Sequence, residues 1–214
     1  MKNLVKTILA SLMIMSLTSA KAEIGFGVTG AVHMLDAKGS ETLRSSGKVT
    51  NATRSETSAV PEIFLETIAD NGAAFGISYI PVRELGNKSR SDTNAAGDTG
   101  TYSAKAEIEN VIMVYGDIPL PVGYGVYGKL GIQHATLKTD ESLNSGSAYE
   151  NQDILGLTLG LGTKGDLAFL GDNTYYKVEG TYTDFQQYTA ENAGNRIVAD
   201  LDSVAVKLSI GYKF

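Results

Sequence analysis

The feature that most constrains this chain is a period of two at its C-terminus. Val204, Val206, Leu208, Ile210, Tyr212 and Phe214 share one phase, opposite Ser203, Ala205, Lys207, Ser209, Gly211 and Lys213. The first set is apolar or aromatic throughout; the second is small or charged. Successive strand side chains point to opposite faces, so this segment makes a strand with one apolar face. The same alternation starts at Glu23, where Ile24, Phe26, Val28, Val32 and Met34 oppose Gly25, Gly27, Thr29, Ala31 and His33. A helix would place Ile24 and Phe26 on different sides of its cylinder.

Six further strands are expected between these two, over residues 60–69, 73–83, 102–115, 124–137, 154–163 and 174–184. In the last two, Leu155, Leu157, Leu159 and Leu161 oppose Gly156, Thr158, Gly160 and Gly162, and Tyr176, Val178 and Tyr182 oppose Lys177, Glu179 and Thr181. In residues 102–115, Tyr102, Ala104, Ala106, Ile108, Ile112 and Val114 oppose Lys105, Glu107 and Glu109. The connections alternate in length. Residues 36–59, 84–101, 138–153 and 185–199 read as long polar loops, whereas Asp70-Asn71-Gly72 is a tight turn suited to positive φ. Pro119 and Pro121 stiffen another of the shorter connections. Up-and-down strands would send all the long loops to one side.

Composition narrows the class. The 214 residues include 24 Gly and 11 Tyr but no Cys, which excludes disulfide scaffolds, thiolate metal sites and a cysteine nucleophile. With 18 basic against 24 acidic residues, the chain is no basic nucleic-acid binder. Residues 1–22 read as a signal peptide: Lys2 and Lys6 precede an apolar run from Ile8 to Leu17, and Ser19-Ala20-Lys21-Ala22 supplies small residues for cleavage. That run is too short to span a bilayer. Cleavage would leave a domain of residues 23–214 carrying 15 basic and 24 acidic residues, a formal charge of −9.

The apolar phase is expected to face outward. The polar phase combines charge with glycine: Glu62, Glu66, Lys105, Glu107, Glu109, Lys129, Lys177, Glu179 and Lys207 alternate with Gly76, Gly131, Gly156, Gly160, Gly162 and Gly211. An eight-stranded interior is just wide enough for side chains, and glycine leaves space for long charged ones from other strands. Lipid tolerates only closed sheets, and membrane barrels run apolar-out and polar-in with aromatic girdles. Tyr79, Tyr102, Tyr124, Tyr176, Tyr182, Tyr212 and Phe214 lie in the apolar phase near strand ends. The expected architecture is therefore all-β, an eight-stranded antiparallel up-and-down transmembrane β-barrel.

At this point the chain resembles the small eight-stranded outer-membrane barrels of Gram-negative bacteria, the OmpA/OmpX-like superfamily, over its whole mature length. The most specific likeness is the last strand, where Leu208, Ile210, Tyr212 and Phe214 match that family's C-terminal pattern of alternating apolar residues ending in an aromatic. The resemblance implies residence in the cell outer membrane after signal-peptide cleavage, and reading of that strand by the barrel-assembly machinery. It also implies outer-membrane lipid and lipopolysaccharide as surroundings.

For function, the nine charged interior positions offer a gate or a plug, and the narrow bore favours a plug that satisfies its charges by mutual pairing. His134 and Thr136, with Asp140 and Glu141 nearby, hold the minimum groups for acyl transfer and are faintly similar to the His-x-Ser of lipid A deacylases, with Thr136 in place of the serine. A single such pair is a weak motif, and a polar strand end at the lipid–water boundary is the favoured reading. His33 is expected at another strand end. Lys38, Arg44, Lys48 and Arg54 in the first long loop could contact phosphate groups. The leading expectation is a non-enzymatic, monomeric outer-membrane protein serving surface interaction or envelope integrity, without cofactor, metal or nucleic acid. The rivals are a channel for small or apolar solutes, a lipid A-modifying enzyme and a secreted soluble barrel.

Overall fold

The computed structural model describes residues 22–93, 99–142, 149–191 and 194–214, with the side chains of residues 90, 92, 93, 102, 104, 141 and 142 undescribed. The expected leader lies outside the described residues except for Ala22, as do the side chains of Tyr102 and Glu141. The elements are β1 (Ala22–Leu43), β2 (Val49–Ala69), β3 (Ala74–Ile80), β4 (Arg83–Thr93) and β5 (Thr99–Pro119). They continue with β6 (Val126–Ser142), β7 (Gln152–Asp166), β8 (Thr174–Phe185), β9 (Tyr188–Glu191) and β10 (Asn195–Lys213). Between β7 and β8, Ala168–Leu170 forms one 3₁₀ turn.

These strands close into a ring of eight staves. All pairings are antiparallel, and β1 pairs with β10 to complete the circuit. Pro81 and Val82 divide one stave into β3 and β4; Gln186 and Gln187 divide another into β8 and β9. Directly paired residues lead from Tyr212 through Phe26, Leu65, Ile77, Val114, Ile132, Leu157 and Asp184 back to β10 at Asp202, ten residues from the start. That stagger tilts the strands and sets a narrow bore.

The apolar phase faces outward, as alternation predicted. Leu157 and Ile210 are 42 % and 45 % exposed, while Lys177 and Glu179 are 2 % and 6 % exposed. On β1 the exposed apolar row runs from Ile24 to Met34. At about 3.3 Å per residue and a tilt near 40°, that row is about 25 Å tall, the height of a membrane barrel's apolar band. Tyr79, Tyr182 and Tyr212 stand on this outer face; Tyr124 instead occupies a turn at φ 54° and is almost wholly exposed. The 70–72 turn forms as expected, with Gly72 at φ 81° and its N–H donated to Ala69 O at 2.8 Å.

The long loops are largely strand. β1 and β2 stay paired up to Thr42 and Val49, so residues expected as a 24-residue loop form a hairpin closed by a short turn after Leu43. Lys38 and Arg54 accordingly sit on strands; Lys38 is paired with Thr53 and Asp200. Within 84–101, 138–153 and 185–199, too, β4, β5, β6, β9 and β10 continue the barrel wall beyond the apolar band. Period-two alternation of large apolar and polar residues fades there because water lies outside, and Ser, Thr and Asn form strands once the ladder is nucleated below.

Candidate functional site: the barrel interior

The inner face of the band carries a buried ionic network. Lys177 Nζ donates to Glu66 Oε2 at 2.9 Å and to Asp117 Oδ2 at 2.7 Å. Lys129 Nζ lies 2.8 Å from Glu179 Oε1 and 3.0 Å from Asp117 Oδ1. Tyrosine hydroxyls complete the carboxylates: Tyr115 and Tyr175 donate to Glu66 at 2.7 and 2.9 Å, and Tyr127 donates to Glu179 at 2.8 Å. The ammonium of Lys129 also sits 3.5 Å above the Tyr115 ring. Small residues give this layer its room. A Cβ on Gly76 would stand 2.6 Å from the Tyr115 hydroxyl, and one on Gly162 would stand 2.7 Å from that of Tyr127.

One layer further along the barrel, Lys207 Nζ donates to Glu62 Oε2 at 2.8 Å. Arg83, always protonated, donates from Nη1 to His33 Nδ1 at 2.9 Å, so the imidazole carries its proton on Nε2 and donates it to Glu62 Oε1 at 2.7 Å. Gln133 donates to Thr158 and Thr183, each at 3.0 Å. Beyond this layer the interior is apolar, a cluster including Leu35, Ile80, Leu85, Ile108, Val111, Leu137, Ile154, Phe185 and Leu201. The void among the network charges measures about 10 Å³, room for roughly one water. Apart from Arg83 and Lys164, the buried charges pair below, and hydrocarbon fills above, so among the described residues the bore is filled by side chains.

Six of the nine expected interior charges belong to this network: Glu62, Glu66, Lys129, Lys177, Glu179 and Lys207. Lys105, Glu107 and Glu109 do not. A bulge at Asn110, at φ 54°, inserts one residue into β5 between Glu109 and Ile112, which turns the following phase over. Ile108, expected outside, is wholly buried, and Lys105 pairs at the outer surface with Glu107 at 2.5 Å. The Glu107 carboxylate raises the proton affinity of Lys105 through that contact. His33 is likewise a lumen residue rather than a strand-end one.

Sequence reasoning missed Asp117, Arg83 and the three tyrosines as network members. Tyr115 and Asp117 share the inward phase, but 116–123 read as a connection. Arg83 follows a strand break that alternation does not register. At the other candidate, Thr136 donates to Asp153 Oδ1 at 2.9 Å, and His134 Nε2 lies 3.8 Å from Asp153 Oδ2. The hydroxyl proton is thus directed at a carboxylate, and Asp153 is the acid beside both; the Glu141 side chain is outside those described. Leu208, Ile210 and Tyr212 line the outer face, and Phe214 packs edge-on against Tyr212 at 5.1 Å.

No protein-family model matches the chain, and no curated protein sequence matches it. Solved structures do. The outer membrane protein OprG from Pseudomonas aeruginosa aligns over 92 % of this chain and 98 % of its own, at 14 % identity and TM-score 0.55. AlkL, an outer membrane protein solved in lipid bilayers, aligns over 92 % of both chains at 11 % identity and TM-score 0.49. Neisserial surface protein A covers 86 % of this chain and 97 % of its own, at 13 % identity and TM-score 0.41. The likeness to OprG shows the fold: the small antiparallel barrel of outer-membrane proteins.

Proposed function

We propose that this chain is an integral outer-membrane protein, delivered by its leader and serving surface interaction or envelope integrity without catalysis. The observation that carries the reading is a closed ring with a continuous apolar outer band around an interior filled by side chains, most of its charges paired. Lipid is the solvent that suits such an exterior. Beyond the band the same wall continues as a polar cylinder, a rigid platform of the kind that presents contacts to lipopolysaccharide or another surface. Leu208, Ile210, Tyr212 and Phe214 act as the strand read during assembly, and the folded protein is a monomer with at most slight permeability. Cell fractionation and gel migration with and without boiling test the placement: recovery in the outer membrane with a heat-dependent mobility shift supports it, and a soluble periplasmic product refutes it. Planar-bilayer recording tests the plug, with no discrete conductance expected.

One observation favours passage of apolar solutes as a second reading. Among the described residues β2 above Ile63 has no ladder with β4, leaving a seam in the wall beside the apolar interior cluster. Reconstituted vesicles that take up an apolar dye no faster than protein-free ones would remove this reading.

A further inference from the structure

The seam has an electrostatic anomaly at its base. Arg83 opens β4 and is 2 % exposed, yet only Nη1 has a partner, the His33 imidazole; Nε and Nη2 have none. Among the described residues no carboxylate forms an ion pair with it. The acid whose charge reaches it, Glu62, is already held by Lys207 and His33. Ser58 Oγ, buried and likewise without a partner, lies directly across the β1–β2 ladder from His33 on the inward phase. Two features therefore meet at one level: a guanidinium with two free N–H donors and no ion-pair partner, and a free hydroxyl.

A buried guanidinium cannot shed its charge, and leaving it unpaired costs far more than leaving a neutral group unpaired. Unsatisfied buried donors call for an explanation, a bound water or ion among them. Water would satisfy the donors; an anion would also add counter-charge, which Glu62, shared with Lys207 and His33, supplies only in part. We propose that Arg83, with Ser58, binds one small monovalent anion of halide size at the base of the β2–β4 seam. A small anion suits the surroundings, since Ile80 and Leu85 of the packed apolar cluster flank Arg83 along the chain. The seam, lacking a ladder, is the route of entry.

The probe is bromide. Crystals of the detergent-solubilised wild-type protein soaked in bromide should show an anomalous peak within hydrogen-bond reach of Arg83 Nε and Nη2. Replacing gluconate by bromide at constant ionic strength should raise the unfolding temperature by about 3 °C or more at tenfold excess over Kd. The rise should vanish in Arg83→Met and shrink in Ser58→Ala. Density without anomalous signal, or equal unfolding temperatures of the wild type in the two salts, overturns the proposal whether or not the variants fold.

Discussion

Replacing Lys177 by methionine tests whether the interior charges hold the barrel together. The substitution keeps the length of a side chain that is wholly buried among the rings of Phe64, Tyr115 and Tyr127, with Nζ 5.0 to 5.5 Å from their centroids. What it removes is the cation. Asp117 keeps Lys129 at 3.0 Å, but Glu66 keeps only its two tyrosine donors and is left as a buried anion without an ion-pair partner. Deleting one partner of a buried pair costs about 3–5 kcal/mol. With a urea slope of about 2 kcal/mol per molar, the midpoint should fall by roughly 2 M. Reversible urea unfolding in phospholipid vesicles, followed by circular dichroism and by the fraction with folded gel mobility, reads that shift.

The second arm separates charge from packing. Glu66→Gln retains a carbonyl acceptor for the tyrosines while removing the anion that Lys177→Met would strand. The double variant should therefore be more stable than the sum of the singles implies, by about 1–3 kcal/mol. A Lys177→Met protein within about 0.5 kcal/mol of wild type, or additive singles, would refute the view that these charges pair as one unit.

Gly27→Ala should destabilise by about 1–3 kcal/mol, because its Cβ would stand 2.4 Å from Ile210 O and from the Phe64 ring. Gly30→Ala, with nothing within 4 Å, should be neutral in the same unfolding assay. Leu208→Arg in the apolar band should cost about 2–4 kcal/mol in vesicles, whereas Thr50→Arg on the polar cylinder should stay within about 0.5 kcal/mol. His134→Ala should leave the lipid A mass spectrum of the producing cells unchanged; a lost or altered species would support catalysis instead.

Within the band, the sequence is legible because lipid outside and a tight bore inside demand opposite chemistry at every second residue. Ile24 to Met34 and Val204 to Tyr212 therefore read out strand directly, and the charge and glycine of the opposite phase point to which face is outside. The six network charges were legible for the same reason. Asp117 was not, because two prolines and a glycine beside it look like a loop although the ladder runs on to Pro119. Beyond the band, water on the outside removes the demand for apolar residues there, and strand becomes indistinguishable from polar loop.

The bulge at Asn110 shows why parity in sequence does not guarantee a face. Ile108, Ile112 and Val114 share parity, yet Ile108 is inside and Ile112 outside. Below the bulge β5 obeys the membrane rule, apolar outward. Above it β5 obeys the rule of soluble proteins, with Ile108 in the interior cluster and Lys105, Glu107 and Glu109 toward water. Leu35, Leu137 and Leu201 make the same change on their own strands by switching parity, so the apolar cluster is the core of the cylinder where it leaves the band. One inserted residue lets β5 turn over with its parity intact. Deleting Asn110 should therefore force either Lys105, Glu107 and Glu109 inward or Ile112 and Val114 into the lumen, and folding in vesicles should fail. Asn110→Gly, which adopts φ 54° without strain, should fold like wild type, while Asn110→Val should lose about 1–2 kcal/mol. A deletion variant with wild-type gel mobility and urea midpoint would show that the switch of faces lies elsewhere.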